Sequence, residues 1–210
     1  MRTKNNLLIY SIGILLIAQS CGTFHRNVAN TPFTSSFNNN EITLIMGADT
    51  SVAMRVLKID NYADSVFLRS QSIDITPNIN DPFLNTLIKR MYTTVTDSAS
   101  LGVGIAAPQV GVSKQVILVQ RLDKPGEPFE AYINPKILQW TKKKQDCREG
   151  CLSVPIIRGT TQTRAYAILI EYYTITGKKQ TEMIEGYTAV IFQHETDHLN
   201  GVLFFDHLLL

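Results

Sequence analysis

The stretch QHETDH, residues 193–198, lies near the C-terminus and contains the pattern H-E-x-x-H. On an α-helix, positions i and i+4 lie on one face, so His194 and His198 can bind one metal ion together. Glu195 follows the first histidine, where a carboxylate can take a proton from water that the metal activates. A catalytic metal usually has three protein ligands and one open position. The stretch therefore predicts a metal-binding helix and a third ligand elsewhere in the chain.

Two other stretches stand out upstream. The sequence EGCLSVP, residues 149–155, offers Cys151 as the third ligand. The glycine-rich stretch GVGIAAPQ, residues 102–109, lies still farther upstream. A lone H-E-x-x-H can occur by chance on an amphipathic helix, in roughly one chain in a hundred of this length, and a lone glycine-rich turn is weak support for a site. The occurrence of all three in one chain favours a metal site over a purely structural role.

In this order, the three stretches are similar to the motifs G-φ-G-φ-A-A-x-Q, E-G-C-L-S and Q-H-E-x-D-H-L of the peptide deformylases. The departure is Ile105, where leucine is commoner in that family. The resemblance covers roughly residue 56 to the C-terminus. It implies an α+β fold, in which mixed or antiparallel sheet wraps around the C-terminal metal helix. It also implies a hydrolase that removes formyl from N-formylmethionyl peptides and releases formate.

The ligand set of Cys151, His194 and His198 suits zinc and also iron, cobalt or nickel, and the sequence does not choose among them. The resemblance implies one divalent ion, Fe²⁺ as the usual one, with Zn²⁺ or Ni²⁺ possible. Ferrous iron beside a thiolate is prone to oxidation, so export of the protein would make zinc more plausible.

The resemblance also implies roles for other residues. Glu195 acts as base and then as acid, while the side-chain amide of Gln109 and the backbone N–H of Leu152 stabilise an oxyanion. Without its motif, Gln109 would be interpreted as a polar loop residue. The expected substrate-binding residues are Val103, Gly104 and Gly150 along the peptide backbone, Val103, Val190 and Ile191 around the methionine side chain, Glu149 at the rim, and Arg158 in contact with the peptide.

The chain has 210 residues and a net charge of +2, which predict one compact domain with a short appendage and no nucleic-acid surface. The basic run at residues 142–144 is interpreted as a solvated segment. Three cysteines argue against a disulfide framework, although the spacing of Cys147 and Cys151 leaves a local disulfide open. We expect both thiols to be reduced, Cys147 to have no role, and the protein to be a monomer.

The N-terminus predicts export from a bacterial cytoplasm. Residues 1–20 have a positive start and a short apolar run, as in a signal peptide. Cys21 follows small residues and is the expected lipidation site of a membrane-anchored lipoprotein that faces the periplasm. Residues 21–40 are interpreted as a flexible tether and residues 41–210 as the catalytic domain. The alternatives are an ordinary signal peptide, an uncleaved anchor, or a cytoplasmic protein whose N-terminus is no functional signal.

Local patterns predict the remaining elements. Asp81 and Pro82 indicate the start of a helix over residues 82–95. Thr188 is the expected cap of the last helix, which ends near Asn200 before Gly201. Strands are predicted at residues 41–46, 65–69, 116–120, 131–133, 137–140, 165–174 and 180–185.

Two rival functions remain. A zinc peptidase can use the same H-E-x-x-H, but thermolysin-like peptidases add a downstream glutamate ligand, and no glutamate follows His198. A non-enzymatic periplasmic lipoprotein could bind formyl peptides through a metal, but Glu195 would not be needed for that. Asp197 and His207 are expected to have structural roles, with Asp197 orienting the helix or a ligand.

Overall fold

A computed structural model describes residues 35–99 and 101–208, which belong to one compact unit. The predicted signal peptide, Cys21 and most of the predicted tether lie outside the described residues. Within the described ranges, no helix has the length and apolar character needed to cross a membrane.

The described residues form four α-helices, seven strands and two short 3₁₀ segments. The helices are α1 (Asn39–Met46), α2 (Tyr62–Leu68), α3 (Pro82–Thr96) and α4 (Gly186–Leu199). The strands are β1 (Gly104–Ala106), β2 (Val116–Gln120), β3 (Phe129–Trp140), β4 (Cys147–Cys151), β5 (Val154–Thr161), β6 (Ala167–Tyr173) and β7 (Lys179–Glu185). The 3₁₀ segments are Ala107–Val110 and Phe204–Leu208.

The strands form two antiparallel sheets. One has five strands in the order β1-β2-β3-β6-β7, and the other consists of β4 and β5. Strand β2 is buried on both faces, since Val116 and Leu118 pack in the cluster that contains α3, while Ile117 and Val119 pack in the cluster that contains α4. The predicted α+β fold, with antiparallel sheet around the C-terminal helix, is confirmed.

Helix α3 begins as predicted. Pro82 is its first residue, and the Asp81 carboxylate accepts a hydrogen bond from the N–H of Phe83 at 2.9 Å. Its apolar face is fully buried and includes Leu84, Leu87, Met91 and Val95. The spacing of these side chains fixes the face of the helix that packs against the large sheet.

Two predicted strands are helices instead. Residues 41–46 lie in α1, where Asn38 and Glu41 form a reciprocal capping box. Residues 65–68 lie in α2, where the Asn61 side chain accepts a hydrogen bond from the N–H of Asp64. These polar caps accept hydrogen bonds from backbone N–H groups that have no partner in the first turn of a helix. They favour helix in segments that are too short for their hydrophobic pattern to distinguish helix from strand.

Two predicted boundaries also move. Phe37 is 5% exposed and packs in the core, so the border of the domain predicted at residue 41 is a few residues too late. Helix α4 begins at Gly186, and Thr188 is buried inside its first turn, so Thr188 is not its N-cap. The two strands predicted on either side of Asn134 are one strand, β3, which carries a register shift there because Asn134 has a positive φ of 48°.

Gly201 ends α4 as predicted, with φ of +72°. A Cβ at this position would overlap the backbone carbonyl of Arg69. We expect Gly201→Ala to lower the free energy of unfolding by more than about 2 kcal/mol, because left-handed strain and a backbone clash add. Chemical denaturation measures it. The matched control is Gly126→Ala, since Gly126 has φ of +77° and open space around its Cα. Equal losses in the two variants would contradict the role of the clash.

Candidate metal centre

Three predicted ligands meet where α4 packs beside β4. The thiol of Cys151 and one ring nitrogen each of His194 and His198 all lie within 4.8 Å of one another. The Cys151 Sγ is 3.2 Å from the Nε2 of His198. Ordinary zinc–sulfur and zinc–nitrogen bond lengths in a tetrahedral site place such atoms about 3.6 Å apart. The cluster therefore fits a single divalent cation.

Glu149 orients the first histidine. Its carboxylate lies 2.8 Å from the Nδ1 of His194, which leaves the Nε2 of that ring for a metal. Burial acts to raise the pKa of Glu149, but the hydrogen bonds from His194 and Arg164 outweigh it and lower the pKa to about 2. Glu149 lines the substrate cavity, but its carboxylate faces His194 and Arg164 and not the solvent at the rim. Alternation along β4 turns its side chain inward, where it is 6% exposed.

Arg164 connects this carboxylate to the far side of the metal helix. Its guanidinium donates to Glu149 at 2.8 and 2.9 Å and to Asp197 at 2.6 Å. Asp197 also contacts the Nε2 of His207 at 2.9 Å, which agrees with the structural roles predicted for these two residues. Arg164 was not singled out from the sequence, because its importance depends on burial between two acidic partners.

Glu195 lies beside the cluster and is 4% exposed. Its Oε2 has no hydrogen-bond partner among the described residues. Burial raises the pKa of Glu195 to about 7. A carboxyl group with a pKa near neutrality can both accept and donate a proton. The Oε2 of Glu195 is therefore free to accept a proton from a water molecule that reacts beside the three potential metal ligands.

Gln109 is held in one orientation. Its Oε1 accepts a hydrogen bond from the N–H of Ala106 at 2.8 Å, so its amide NH₂ turns toward the site. The Nε2 lies 3.5 Å from the Cys151 sulfur and 3.3 Å from the hydroxyl of Ser153. Gln109 is 2% exposed and is not a polar loop residue. The donor is therefore fixed before a substrate arrives, as an oxyanion site requires.

A cavity of about 260 Å³ opens beside the cluster. It brings together the predicted catalytic and substrate-binding residues, and it adds several that the sequence analysis did not single out. The predicted ones are Val103, Gly104, Gln109, Glu149, Gly150, Cys151, Leu152, Arg158, Val190, Ile191, His194 and Glu195. The added ones are Leu101, Gly102, Arg148 and Tyr187. The remaining ligand, His198, lies beneath the cavity and is 1% exposed.

Gly104 has a packing role that the sequence did not reveal. A Cβ built on it would lie 2.5 Å from Oε1 of Glu195 and 2.8 Å from the Cγ2 of Ile191. The absence of a side chain lets β1 approach α4 closely enough to hold Glu195 beside the cluster. Gly104 was expected to allow a close approach of the substrate peptide, and the structure shows that it allows a close approach of α4.

We expect Gly104→Ala to lower kcat by about 10- to 100-fold, because an added methyl must displace the proton-carrying carboxylate by roughly an ångström. Steady-state formate release measures the effect, with metal content determined on the same samples. A variant with normal metal content and normal kcat would show that Glu195 tolerates the shift.

Cys147 and Cys151 do not form a disulfide. Both are free, and they stand at opposite ends of β4. Four residues of extended strand span about 13 Å, beyond the reach of a disulfide. Burial raises the pKa of the Cys147 thiol, which keeps it protonated and unreactive. The strand therefore keeps the two thiols apart, and their reduced state in the active protein stays a prediction.

The chain is similar to known proteins over most of its length. The sequence model for "Polypeptide deformylase" matches residues 56–209. A peptide deformylase of Desulforudis audaxviator is 37% identical over 155 residues, which cover 73% of this chain and 94% of that protein.

Solved structures agree with the sequence comparison. The Met-Ala-Ser-bound class I type b peptide deformylase of Acinetobacter baumannii matches with a TM-score of 0.64 and 35% identity over 74% of this chain and 99% of that one. The inhibitor complex of Plasmodium falciparum peptide deformylase matches with a TM-score of 0.61 and 36% identity over 72% and 87%. With its cysteine and two histidines converging beside Glu195, the chain belongs to the polypeptide deformylase family.

Proposed function

We propose that this member of a family of metal-dependent amide hydrolases removes the formyl group from N-formylmethionyl peptides and releases formate. The observation that carries the proposal is that Glu195 and the Gln109 amide converge, beside the three ligand atoms, on one cavity. The Met-Ala-Ser peptide in the A. baumannii deformylase supports a peptide substrate of this length.

Cys151, His194 and His198 would hold the cation, which when bound supplies Lewis-acid chemistry and makes a water molecule acidic near neutral pH. We propose ferrous iron as the native ion, on the basis of the family, with zinc and nickel able to replace it. A thiolate with two imidazoles accepts all three. His198 is kept in the form that a cation needs, because burial lowers its pKa and favours the neutral ring.

Glu195 moves the proton in this mechanism. Its carboxylate takes a proton from the attacking water and then gives it to the nitrogen of the departing amine. Gln109 donates its side-chain N–H to the developing oxyanion, and we assign the backbone N–H of Leu152 to the same oxygen. Because Gln109 is already held by Ala106, it needs no rearrangement in the transition state.

The substrate would lie along the two edges of the cavity. Val103, Val190 and Ile191 offer an apolar surface for the methionine side chain. The backbones of Gly104 and Gly150 flank the space for an extended peptide.

Formate release from formyl-Met-Ala-Ser tests the proposal. The full-length protein is prepared without oxygen and loaded separately with iron, nickel or zinc. We expect release with at least one ion, and release slower by at least about 100-fold from Glu195→Gln at the same metal content. No release with any ion, from folded and metal-loaded protein, would refute it.

The two rival functions are less favoured. The described residues after His198 provide one carboxylate, Asp206, which is paired with Arg69 at 2.5 Å. Because Asp206 is bound by Arg69, it does not replace the downstream glutamate ligand of a thermolysin-like zinc peptidase. A formyl-peptide binder would not need an unpartnered buried carboxyl beside the cluster.

For location, we propose a lipoprotein anchored through Cys21 and facing the periplasm, supported by the signal-like residues 1–20. Metabolic labelling with a palmitate analogue should modify the natural protein, and Cys21→Ser should abolish the label. Recovery of unlabelled protein in the cytoplasmic fraction with residues 1–20 intact would instead support the cytoplasmic alternative.

A further inference from the structure

The arginines of the described ranges fall into two groups. Two of the seven, Arg148 and Arg158, make no ion pair and no side-chain hydrogen bond within those ranges. The other five are partnered: Arg55 by Asp64, Arg69 by Asp206, Arg90 by backbone carbonyls, Arg121 by Asp123 and Glu182, and Arg164 by Glu149 and Asp197.

Both unpartnered arginines line the active-site cavity. Arg148 is exposed on β4, on the same face of that strand as Gly150. A Cβ on Gly150 would lie 2.5 Å from the Nη1 of Arg158, so the Arg158 guanidinium lies directly over Gly150. The two arginines therefore lie on one face of the two-stranded sheet, with the Arg158 guanidinium nearer to Cys151 and Arg148 three residues before it.

No acid on the cavity wall neutralises this pair. The carboxylates that line the cavity are Glu149 and Glu195, and both are buried. Glu149 is bound by Arg164 and His194, and Glu195 lies beside the metal ligands. The mouth of the cavity thus carries two positive charges that form no ion pair with a described side chain. A guanidinium binds a carboxylate through two parallel hydrogen bonds, which makes a carboxylate the matching ligand.

We propose that Arg148 and Arg158 bind a carboxylate of the substrate, and that the enzyme selects short formyl peptides through their free C-terminal carboxylate. Arg148 is three residues from Cys151, about 10 Å along the strand. A tripeptide in extended form also spans about 10 Å. A tripeptide whose formyl group lies beside the ligands can therefore bring its end to Arg148, on the face of the sheet that also carries Arg158. This inference rests on the proposed function and adds the substrate class to it.

The first test compares formyl-Met-Ala-Ser with its C-terminal amide, using full-length, metal-loaded protein. We expect kcat/KM to be about three- to tenfold higher for the free acid, mainly through KM, as two exposed ion pairs would give. The ratio should fall to about one in Arg148→Gln/Arg158→Gln. Lys142→Gln is the matched control, because it removes an exposed positive charge outside the cavity and should leave the ratio unchanged.

A third substrate, formyl-Met-Ala-Asp amide, has a side-chain carboxylate but no C-terminal carboxylate, so it shows which of the two the arginines recognise. Slow turnover like that of the Ser amide supports recognition of the chain terminus. Turnover as fast as that of the free acid would overturn the selection of short peptides, since any acidic side chain would then suffice.

Calorimetric binding of Met-Ala-Ser and its amide gives a readout that needs no turnover. The natural protein should bind the acid about three- to tenfold more tightly, and the double variant should bind both equally. Equal affinities in the natural protein, or a preference that survives in the double variant, would overturn the inference. Absence of formate release would refute the proposed function alone, because the binding comparison still decides the role of the arginines.

Discussion

Glu195→Gln is expected to lower kcat by about 10²- to 10⁴-fold, the range that general acid–base catalysis contributes. Glutamine has nearly the same shape but cannot carry the proton from the attacking water to the departing amine. Metal content should stay unchanged, because Cys151, His194 and His198 form the ligand cluster without Glu195. Formate release at saturating formyl-Met-Ala-Ser, with metal analysis of each sample, measures the effect.

The control for this variant is Glu127→Gln, which changes an exposed glutamate in a turn and should leave kcat unaltered. Thermal unfolding should show that Glu195→Gln is at least as stable as the natural protein, because a buried carboxyl without a hydrogen-bond partner on Oε2 contributes no favourable contact there. A kcat within about threefold of the natural value would exclude Glu195 as the general base.

The sequence was sufficient for the parts of the site that depend on local spacing. The spacing in the sequence predicts where the two histidines, Glu195 and Cys151 lie, because positions i and i+4 of one helix and the end of a short strand determine their places. The inward direction of the Glu149 side chain could not be predicted, because it depends on how β4 pairs with β5, which a short segment does not reveal.

The errors in the fold have a related cause. Residues 41–46 and 65–69 are too short for their hydrophobic pattern to distinguish helix from strand, and the caps at Asn38 and Asn61 decide the outcome. The packing role of Gly104 needs the position of α4, which is far away in sequence. Long-range contacts of this kind leave no periodic signal.

Arg164→Leu is expected to lower the free energy of unfolding by about 3–5 kcal/mol, because it leaves the buried Glu149 carboxylate without its guanidinium. It should also weaken metal binding by about 10- to 100-fold, since Glu149 holds the His194 ring in place. Chemical denaturation of the apo-protein and competition with a chelator measure the two effects separately. The matched control is Lys179→Leu, because Lys179 and its partner Glu171 form a pair in which neither side chain is buried, so its loss should matter little.

The double variant Arg164→Leu/Glu149→Leu separates stability from metal binding. Removing both charges should restore much of the lost stability, because apolar replacements of a buried ion pair are often neutral or stabilising. Metal affinity should stay low, because the Nδ1 of His194 then has no carboxylate to fix the ring. If metal affinity recovered together with stability, the pair would serve only to hold β4 against α4. If affinity stays low in a stable protein, the buried pair exists to orient the ligand, which would explain why an arginine and a glutamate occupy a site that apolar side chains could fill.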